Sequence, residues 1–426
     1  MTDFDLSEIT KAQIDVNFER YSLISNPFPM TGVSKENPEF YAGRDKTLDA
    51  LRRYIIGSYS AIGWSGIVIV GDNGMGKTHT LKFIRDQINQ QLSTRPKNEK
   101  CRAIYIAMPT SFEEIYIRII KNINQSDFIS LLWDAVSEDF KSKFNTQESL
   151  NSLIGSMDLS FFEDKIEIEE FNKYLTDWGL FHEFLNKKFI SRQNILKNCE
   201  DFLKEIIHDK NMRLVCSKLL IEKGVQEECW RWLTGGKLYK EERSMVGVSS
   251  DFNSKNTTEA LKSVVNLYRK AGYRRIFIMI DQFEDMIKQG DRSRLNFLVE
   301  FRDLIDSIQL SFSIVSASTP MEWETAKQTH PAFSDRFSGP VNLYPLDQNQ
   351  MKALIEMYLL SMRPKNYNGE KIYPFTVEGI EKIREKSKGN PRHALETCHI
   401  LIEKGKNAGY RPIDTNFVID NVEDED

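Results

Sequence analysis

Paired cysteines are missing from this 426-residue sequence. The five that occur, Cys101, Cys199, Cys216, Cys229 and Cys398, are scattered, with no C-x-x-C pair and no histidine at metal-ligand spacing. That pattern argues against a disulfide scaffold or a zinc ribbon and predicts reduced, buried thiols. No apolar run approaches the length of a membrane span. The opening "MTDFDLSEITKAQ" mixes acidic with apolar residues and lacks a basic-then-apolar leader, so the expected location is cytoplasmic, with no membrane partner. Excess positive charge is absent too: 57 Lys and Arg against 62 Asp and Glu give a formal net charge of -5. The balance argues against a uniformly basic coat for nucleic acid, although a local basic patch can still meet phosphates. Internal repeats and low-complexity segments are lacking, apart from the acidic end "NVEDED", which is expected to be a frayed, solvated tail.

What is present is an ordinary globular composition, 40% hydrophobic and 28% charged, in a chain long enough for two to four structural units. Apolar, β-branched runs recur at "GIVIV" (Gly66 to Val70), "AIYIAM" (Ala103 to Met108), "IFIMID" (Ile276 to Asp281), "SFSIVSA" (Ser311 to Ala317) and, weakly, "VNLYPL" (Val341 to Leu346). They read as buried parallel strands with helices on both faces. Ahead of them, "NPFPMTGVSKENPEFYAGRDKTLDALRRYI" places Pro27, Pro29, Gly32 and Pro38 in an irregular lead, an extended latch feeding a helix from Asp45 to Ile56. From Pro109 to Arg275 lies far more chain than the dozen or so residues that a strand crossover needs. Its Leu, Ile, Phe, Lys and Glu at three- and four-residue spacing predict a helical insertion. The aromatic residues Trp133, Trp178, Phe181, Trp230 and Trp232 are expected in its core rather than on a recognition surface. After Pro345, "MKALIEMYLLSMRP" and "TVEGIEKIREKSKGNPRHALETCHILIEKG" predict a small helical bundle.

One loop carries most of the chemistry. Between "IVIV" and the helical "THTLKFIRDQI" stands Gly71-Asp72-Asn73-Gly74-Met75-Gly76-Lys77-Thr78, the G-x-x-x-x-G-K-[ST] spacing of the Walker A loop, which cradles phosphate with backbone N–H groups at the start of a helix. Gly71, Gly74 and Gly76 permit the turn. Lys77 sets a positive charge against the outer phosphates, and the Thr78 hydroxyl suits Mg2+, which prefers hard oxygen donors. Asp72, Asn73 and Met75 complete the expected nucleotide-binding loop. His79 is expected on the helix surface near the nucleotide rather than as a catalytic base. ATP and Mg2+ are therefore the predicted cofactors.

Asp281 ends the buried run "IFIMID", where a carboxylate needs solvent or a partner; a magnesium-bound water beside the loop would be one. The attacking water usually needs a second carboxylate next to the metal-binding one. Here the neighbour is Gln282, which can orient a water without taking its proton. Glu284 is the candidate for polarising that water, with a surface cap or ion pair as its alternative role. Slow hydrolysis, or a nucleotide-gated switch, stays open.

In chain order, "NPFPMTGV…FYAGRDKTLDALRRYI", the glycine loop, "IMIDQFED", "SDRFSGPVNLYPLD" and "GNPRHALE" resemble AAA+ ATPases of the origin-recognition-like and STAND-like branch, over residues 26 to 108 and 273 to 405. The resemblance implies an α/β fold of the AAA+ P-loop NTPase type with a parallel sheet. Its expected parts are an N-terminal latch segment at 1–44, a discontinuous ATPase core at 45–108 and 276–345, a mainly helical insertion at 109–275 between the second and third strands, a C-terminal helical lid at 346–406 and a tail at 407–426. It implies also that Arg336, in "SDRF", reaches the γ-phosphate held by a neighbouring subunit, the alternative being a surface salt bridge. Arg392, in "GNPRHALE", would sense nucleotide within its own subunit. A polar sensor follows the fourth strand in such ATPases, and Ser316, Ser318 and Thr319 are the candidates, with Ser318 chosen. A second resemblance joins "ECWRWLTGGKLYKEERSMVGV" and "EALKSVVNLYRKAGYRRIFIMIDQFEDM" to the ATP-binding proteins of BREX-type phage-defence islands, which act in DNA-associated assemblies.

Together these imply an ATP hydrolase that works as a homo-oligomer, or in a hetero-assembly with other ATPase or effector subunits, to remodel or load a nucleic-acid-associated complex in defence, replication or transposition. Relatives acting on origins carry a winged helix beyond the lid, for which Asn407 to Asp426 leaves little chain. DNA contact is then expected through the core, the insertion or a partner. "NKKFISRQNILKN" offers a basic stretch, read first as a solvated helix face. The alternative function is a STAND-like switch with a protein trigger and no direct DNA contact. A small-molecule kinase is disfavoured by the lid and by the lack of an acceptor pocket.

Overall fold

Runs of β-branched residues that are apolar on both faces are satisfied inside a sheet covered on both sides, and four of the five expected runs become strands, three of them buried in this way. In the computed structural model, which describes residues 18–31, 38–154, 166–187, 191–308, 311–409 and 411–423, β1 (Ser65–Val70), β2 (Lys100–Ala107), β3 (Tyr273–Asp281), β4 (Phe312–Ser318) and β5 (Ser338–Asn342) form one sheet in the order β2-β3-β4-β1-β5. β1, β3 and β4 are buried along nearly their whole length. Their pairings are parallel, with Ser316 of β4 set between Val68 of β1 and Ile280 of β3, and Ala107 of β2 opposite Asp281.

The fifth strand is displaced from its expected place. "VNLYPL" contributes only Val341 and Asn342 to β5, which begins earlier, at Ser338, and lies at the sheet edge with mostly exposed residues. An edge strand tolerates Pro340, which has no N–H to donate. The leucines that made the run look like a strand are buried beyond it, and Leu346 joins a helical core.

The chain divides into two compact units: 1–51, 71–83 and 342–426 in one, 52–70 and 84–341 in the other. The second unit holds the sheet and the insertion, where ten α-helices lie between Ile115 and Lys270 among the described residues. Side chains of Asp177, Ser191 and Asp209 accept backbone N–H groups at three of their starts. One apolar cluster runs from Val68, Ile106 and Ile280 of the sheet into Phe128, Phe181 and Trp232 of the insertion, so the inserted helices extend the core of the sheet. Trp133, Phe181 and Trp232 are buried, and Trp178 and Trp230 pack against the same cluster. Arg275 is 1% exposed and is spent on structure: it donates to the carbonyls of Ala61, Gly63 and Phe312 and to the Ser313 hydroxyl.

The first unit has its own core. Phe18, Tyr21, Leu23 and Phe28 of the N-terminal segment pack with Leu346, Ile355, Ile383 and Leu401. Arg363 donates to the carbonyls of Tyr21, Ser22 and Tyr373, and Asn26 donates to His399 O at 3.2 Å and Glu403 Oε1 at 3.0 Å. Beyond the expected lid, the segment read as a tail contains a helix, Thr415–Asn421, with Phe417 and Val418 buried. Residues 1–17 and 32–37 of the latch and 424–426 of the acidic end lie outside the described residues. Among the described residues no helix is long and apolar enough to cross a membrane.

All five cysteines are buried. Burial pushes the Cys101 thiol up to about 11 and those of Cys199 and Cys229 to about 12. Because the thiolate is the reactive form, none is expected to react with DTNB at pH 8 in the native protein, and all five after unfolding. Rapid titration of any thiol in the folded protein would contradict this burial.

Candidate functional site

The glycine loop emerges directly from β1 and ends in the helix Lys77–Leu92. Six consecutive carbonyls of this loop each accept a hydrogen bond from their own unit. Lys77 Nζ donates to Gly71 O at 2.8 Å and Asp72 O at 3.2 Å. Asn390 Nδ2 donates to Asn73 O at 2.8 Å, Arg392 N to Gly74 O at 3.4 Å, and Arg44 Nη2 to Met75 O at 3.1 Å. The Thr80 N–H and hydroxyl both reach Gly76 O at 2.9 Å. In a planar trans peptide the C=O and the following N–H point in opposite directions. Fixing the carbonyls therefore fixes the N–H groups of residues 72 to 77 as well, of which that of Met75 donates to Asp72 O at 3.3 Å. These join the first N–H groups of a 16-residue helix, which have no intrahelical acceptor and lie at the positive end of its dipole.

Two glycines are needed for distinct reasons. Gly74, at φ +80, lies so close to the Asn390 amide that a Cβ would collide with it; Gly76, at φ +90, would direct a Cβ where no heavy atom lies within 4 Å. Lys77 is only 8% exposed. His79, expected on the helix surface, is half-buried instead: its Nε2 is 2.9 Å from Phe40 O and its ring stacks on Tyr41 at 5.9 Å. Burial lowers its pKa, which suits a neutral ring holding the segment before Arg44. Tyr41 continues that contact, its hydroxyl 3.1 Å from Thr80 Oγ1. Asn390 also caps its own helix, Pro391–Asn407, accepting Arg392 N at 3.0 Å. Arg392 is thus brought to the loop through its backbone.

In the other unit, Asp281 closes β3 at 3% exposure. Its Oδ2 accepts the Tyr105 hydroxyl at 2.8 Å and its Oδ1 the Gln282 N–H at 3.0 Å, two bonds that fix the orientation of the carboxylate. The chain turns at Gln282, whose φ of +58 is left-handed without glycine's freedom. That strain costs about 1 to 2 kcal/mol. Burying Phe283 to 1% exposure gains about 1.5 to 3 kcal/mol, so the turn holds. Glu284 opens the helix Glu284–Ile287, and its side chain lies outside the described part.

Of the three sensor candidates, Ser316 is buried and its hydroxyl finds no hydrogen-bond partner among the described residues. Ser318 is fully buried and donates to Thr319 O at 3.2 Å, and Thr319 caps the helix Pro320–Thr329. Ser316 pairs with Ile280, so Asp281, one residue further, alternates to the opposite face of the sheet from Ser316 and Ser318. Arg336 stands apart from these, bound twice to Asp306, with Nε to Oδ1 at 2.7 Å and Nη2 to Oδ2 at 2.9 Å. The surface salt bridge weighed for it is present. Among the described residues no group of three or more His, Cys, Asp or Glu could hold a metal ion. A hard cation at Thr78 or Asp281 would complete its shell with nucleotide oxygens and water.

Sequence reasoning passed over Arg44, Asn390 and Tyr105 as site residues. Asn390 carried a local signal, since Asn-Pro is a helix-start pair; Arg44 and Tyr105 carried none.

A family profile described as "BREX system ATP-binding protein BrxC/D" matches residues 219–318, from the last third of the insertion through β4. The chain has an α/β fold with one five-stranded sheet and the Walker A spacing at the end of its first strand. It is 27% identical over 235 residues, 51% of this chain and 51% of the relative, to the chromosomal replication initiator protein DnaA of Lachnoclostridium phytofermentans. It is 30% identical over 142 residues, 33% of each chain, to an uncharacterised HTH-type transcriptional regulator of Methanocaldococcus jannaschii. The matches thus span about half and a third of these relatives. The Aeropyrum pernix ORC2 protein, in its ADPNP-ADP complexes, covers 91% of this chain and 68% of its own at 11% identity and a TM-score of 0.45, a likeness too loose to bear on function.

The Asn390 contacts make a quantitative expectation. Asn390→Ala removes a helix cap and the bond to Asn73, worth together about 2 kcal/mol, whereas Asn390→Ser keeps a cap and loses about half as much. Hydrogen exchange of the amides at 392–395 and 73–76 measures both; equal protection in the three proteins would contradict it.

Proposed function

We propose that this protein binds ATP with Mg2+ at Gly71–Thr78 and hydrolyses it, and that the hydrolysis remodels or loads a nucleic-acid-associated complex. The observation that carries the first part is the set of six restrained carbonyls, which fixes the peptide groups of a glycine loop at a helix start, where an anionic phosphate chain would find backbone N–H donors. Lys77, held on the loop, adds the positive charge. Bound Mg2+ would supply charge neutralisation between the phosphate oxygens, with Thr78 and Asp281 as its proposed protein ligands. That pairing rests on the motif order along the chain. Tyr105 keeps the Asp281 carboxylate oriented; Glu284 is proposed to polarise the attacking water, Gln282 to orient it and Ser318 to sense the γ-phosphate. Arg392 begins its helix at Gly74 O, a position from which it can follow the nucleotide within its own subunit. Arg336 is proposed to act on nucleotide bound by an adjoining subunit.

Support for the nucleic-acid part comes from the relatives. One is named a chromosomal replication initiator, one an HTH-type transcriptional regulator, and the matching family profile names a BREX system ATP-binding protein.

Three outcomes are expected. Lys77→Ala should lose about 100-fold or more of ATP turnover, and unchanged turnover would remove the site. Glu284→Gln should retain bound ATP while turnover falls well below wild type, and equal rates would move that role elsewhere. Wild-type turnover should rise with duplex DNA at low salt and lose that stimulation at high salt, as phosphate contacts do. Turnover indifferent to DNA at both salt concentrations would refute the nucleic-acid part and leave the ATPase intact.

A further inference from the structure

Arg336 is mounted on a rigid base. Its carbonyl accepts the Trp64 indole N–H at 2.9 Å. Phe333 and Phe337, on either side of it in sequence, lie 5.1 Å apart in a ring cluster with Trp64 and Trp323. Phe283, two residues after Asp281, stacks on Phe333 at 6.0 Å. The side chain is another matter: it is 37% exposed, and its guanidinium is held by both oxygens of Asp306, a residue of the helix Asp291–Ser307. Arg302 also faces Asp306 but is spent on Asp303.

We infer that Asp306 is a parking counter-ion for Arg336, keeping the guanidinium within its own subunit until a triphosphate carried by an adjoining copy of this chain displaces the carboxylate. The inference rests on the reading of Arg336 as a residue donated across a subunit interface. A guanidinium fork takes carboxylate and phosphate in the same two-point geometry. A triphosphate offers more negative charge than one carboxylate, so it wins the exchange when it is near. An exposed ion pair is weak enough to yield. Once the terminal phosphate is gone, Asp306 competes on better terms, and the interface loosens. The pair therefore makes association depend on the nucleotide state of the neighbour while the aromatic base keeps the backbone in place for either partner.

The test uses the full chain with Mg2+ and a non-hydrolysable ATP analogue. Sedimentation velocity gives the protein concentration at half-assembly, and ATP turnover is measured in parallel. Asp306→Asn, which keeps the shape and removes the charge, should assemble at about 2- to 5-fold lower concentration, the range of one exposed ion pair. Asp306→Glu should restore the wild-type midpoint, and Asp306→Asn with Arg336→Ala should match Arg336→Ala alone. An Asp306→Asn midpoint equal to or above wild type, with Arg336→Ala defective in assembly and turnover, overturns the parking role and leaves the donated arginine standing. Full assembly and turnover in Arg336→Ala removes the donated arginine itself, and the parking role with it.

Discussion

The loop between β1 and its helix depends on its carbonyls being held. A glycine-rich segment has the conformational freedom to point its peptide groups anywhere. Here six in succession are tied, by Lys77 and Thr80 from within the helix, by Arg44 from the segment before it, and by Asn390 and Arg392 from a helix more than 300 residues further along the chain. Ordering backbone costs about 1 to 2 kcal/mol per residue. Paying that in folding, rather than on binding, is what makes a loop ready for an anion. The helix that supplies Asn390 and Arg392 shares one core with Phe18, Tyr21 and Phe28, and Ala42, two residues before Arg44, packs against it, so the packing of that core sets three of the six carbonyls.

The sheet unit solves a different problem, presenting a carboxylate at the end of an apolar strand. Asp281 is buried, and a phenol and its own neighbour's N–H are among the groups that hold its carboxylate. The strained residue next to it is held by the aromatic cluster that reaches Phe333 and Phe337. One packed group thus stabilises both the turn after Asp281 and the segment that carries Arg336.

Much of this was legible in the sequence because it is local. Strands β1 to β4 announced themselves as unbroken apolar runs, and the phosphate loop as eight consecutive residues. Features that depend on distant partners were not legible. Nothing in "YAGRDKT" marks Arg44 as a donor to Met75, and Tyr105 reads as one more residue of an apolar strand. β5 was misplaced because Leu343 and Leu346 mimic strand residues while packing elsewhere. The helix Thr415–Asn421 was missed because its buried face consists of little more than Phe417 and Val418, too few to show a period. His79 reads as a surface residue in the sequence because its cover, Phe40 and Tyr41, comes from an irregular segment whose path no pattern predicts.

The central claim is that backbone N–H groups of this loop hold a triphosphate. Hydrogen–deuterium exchange with and without ATP and Mg2+ reads those groups one by one. Slowed exchange concentrated at Gly74 to Thr78, absent in Lys77→Ala, is the predicted result; nucleotide binding that leaves those amides unchanged and protects a different segment would contradict it.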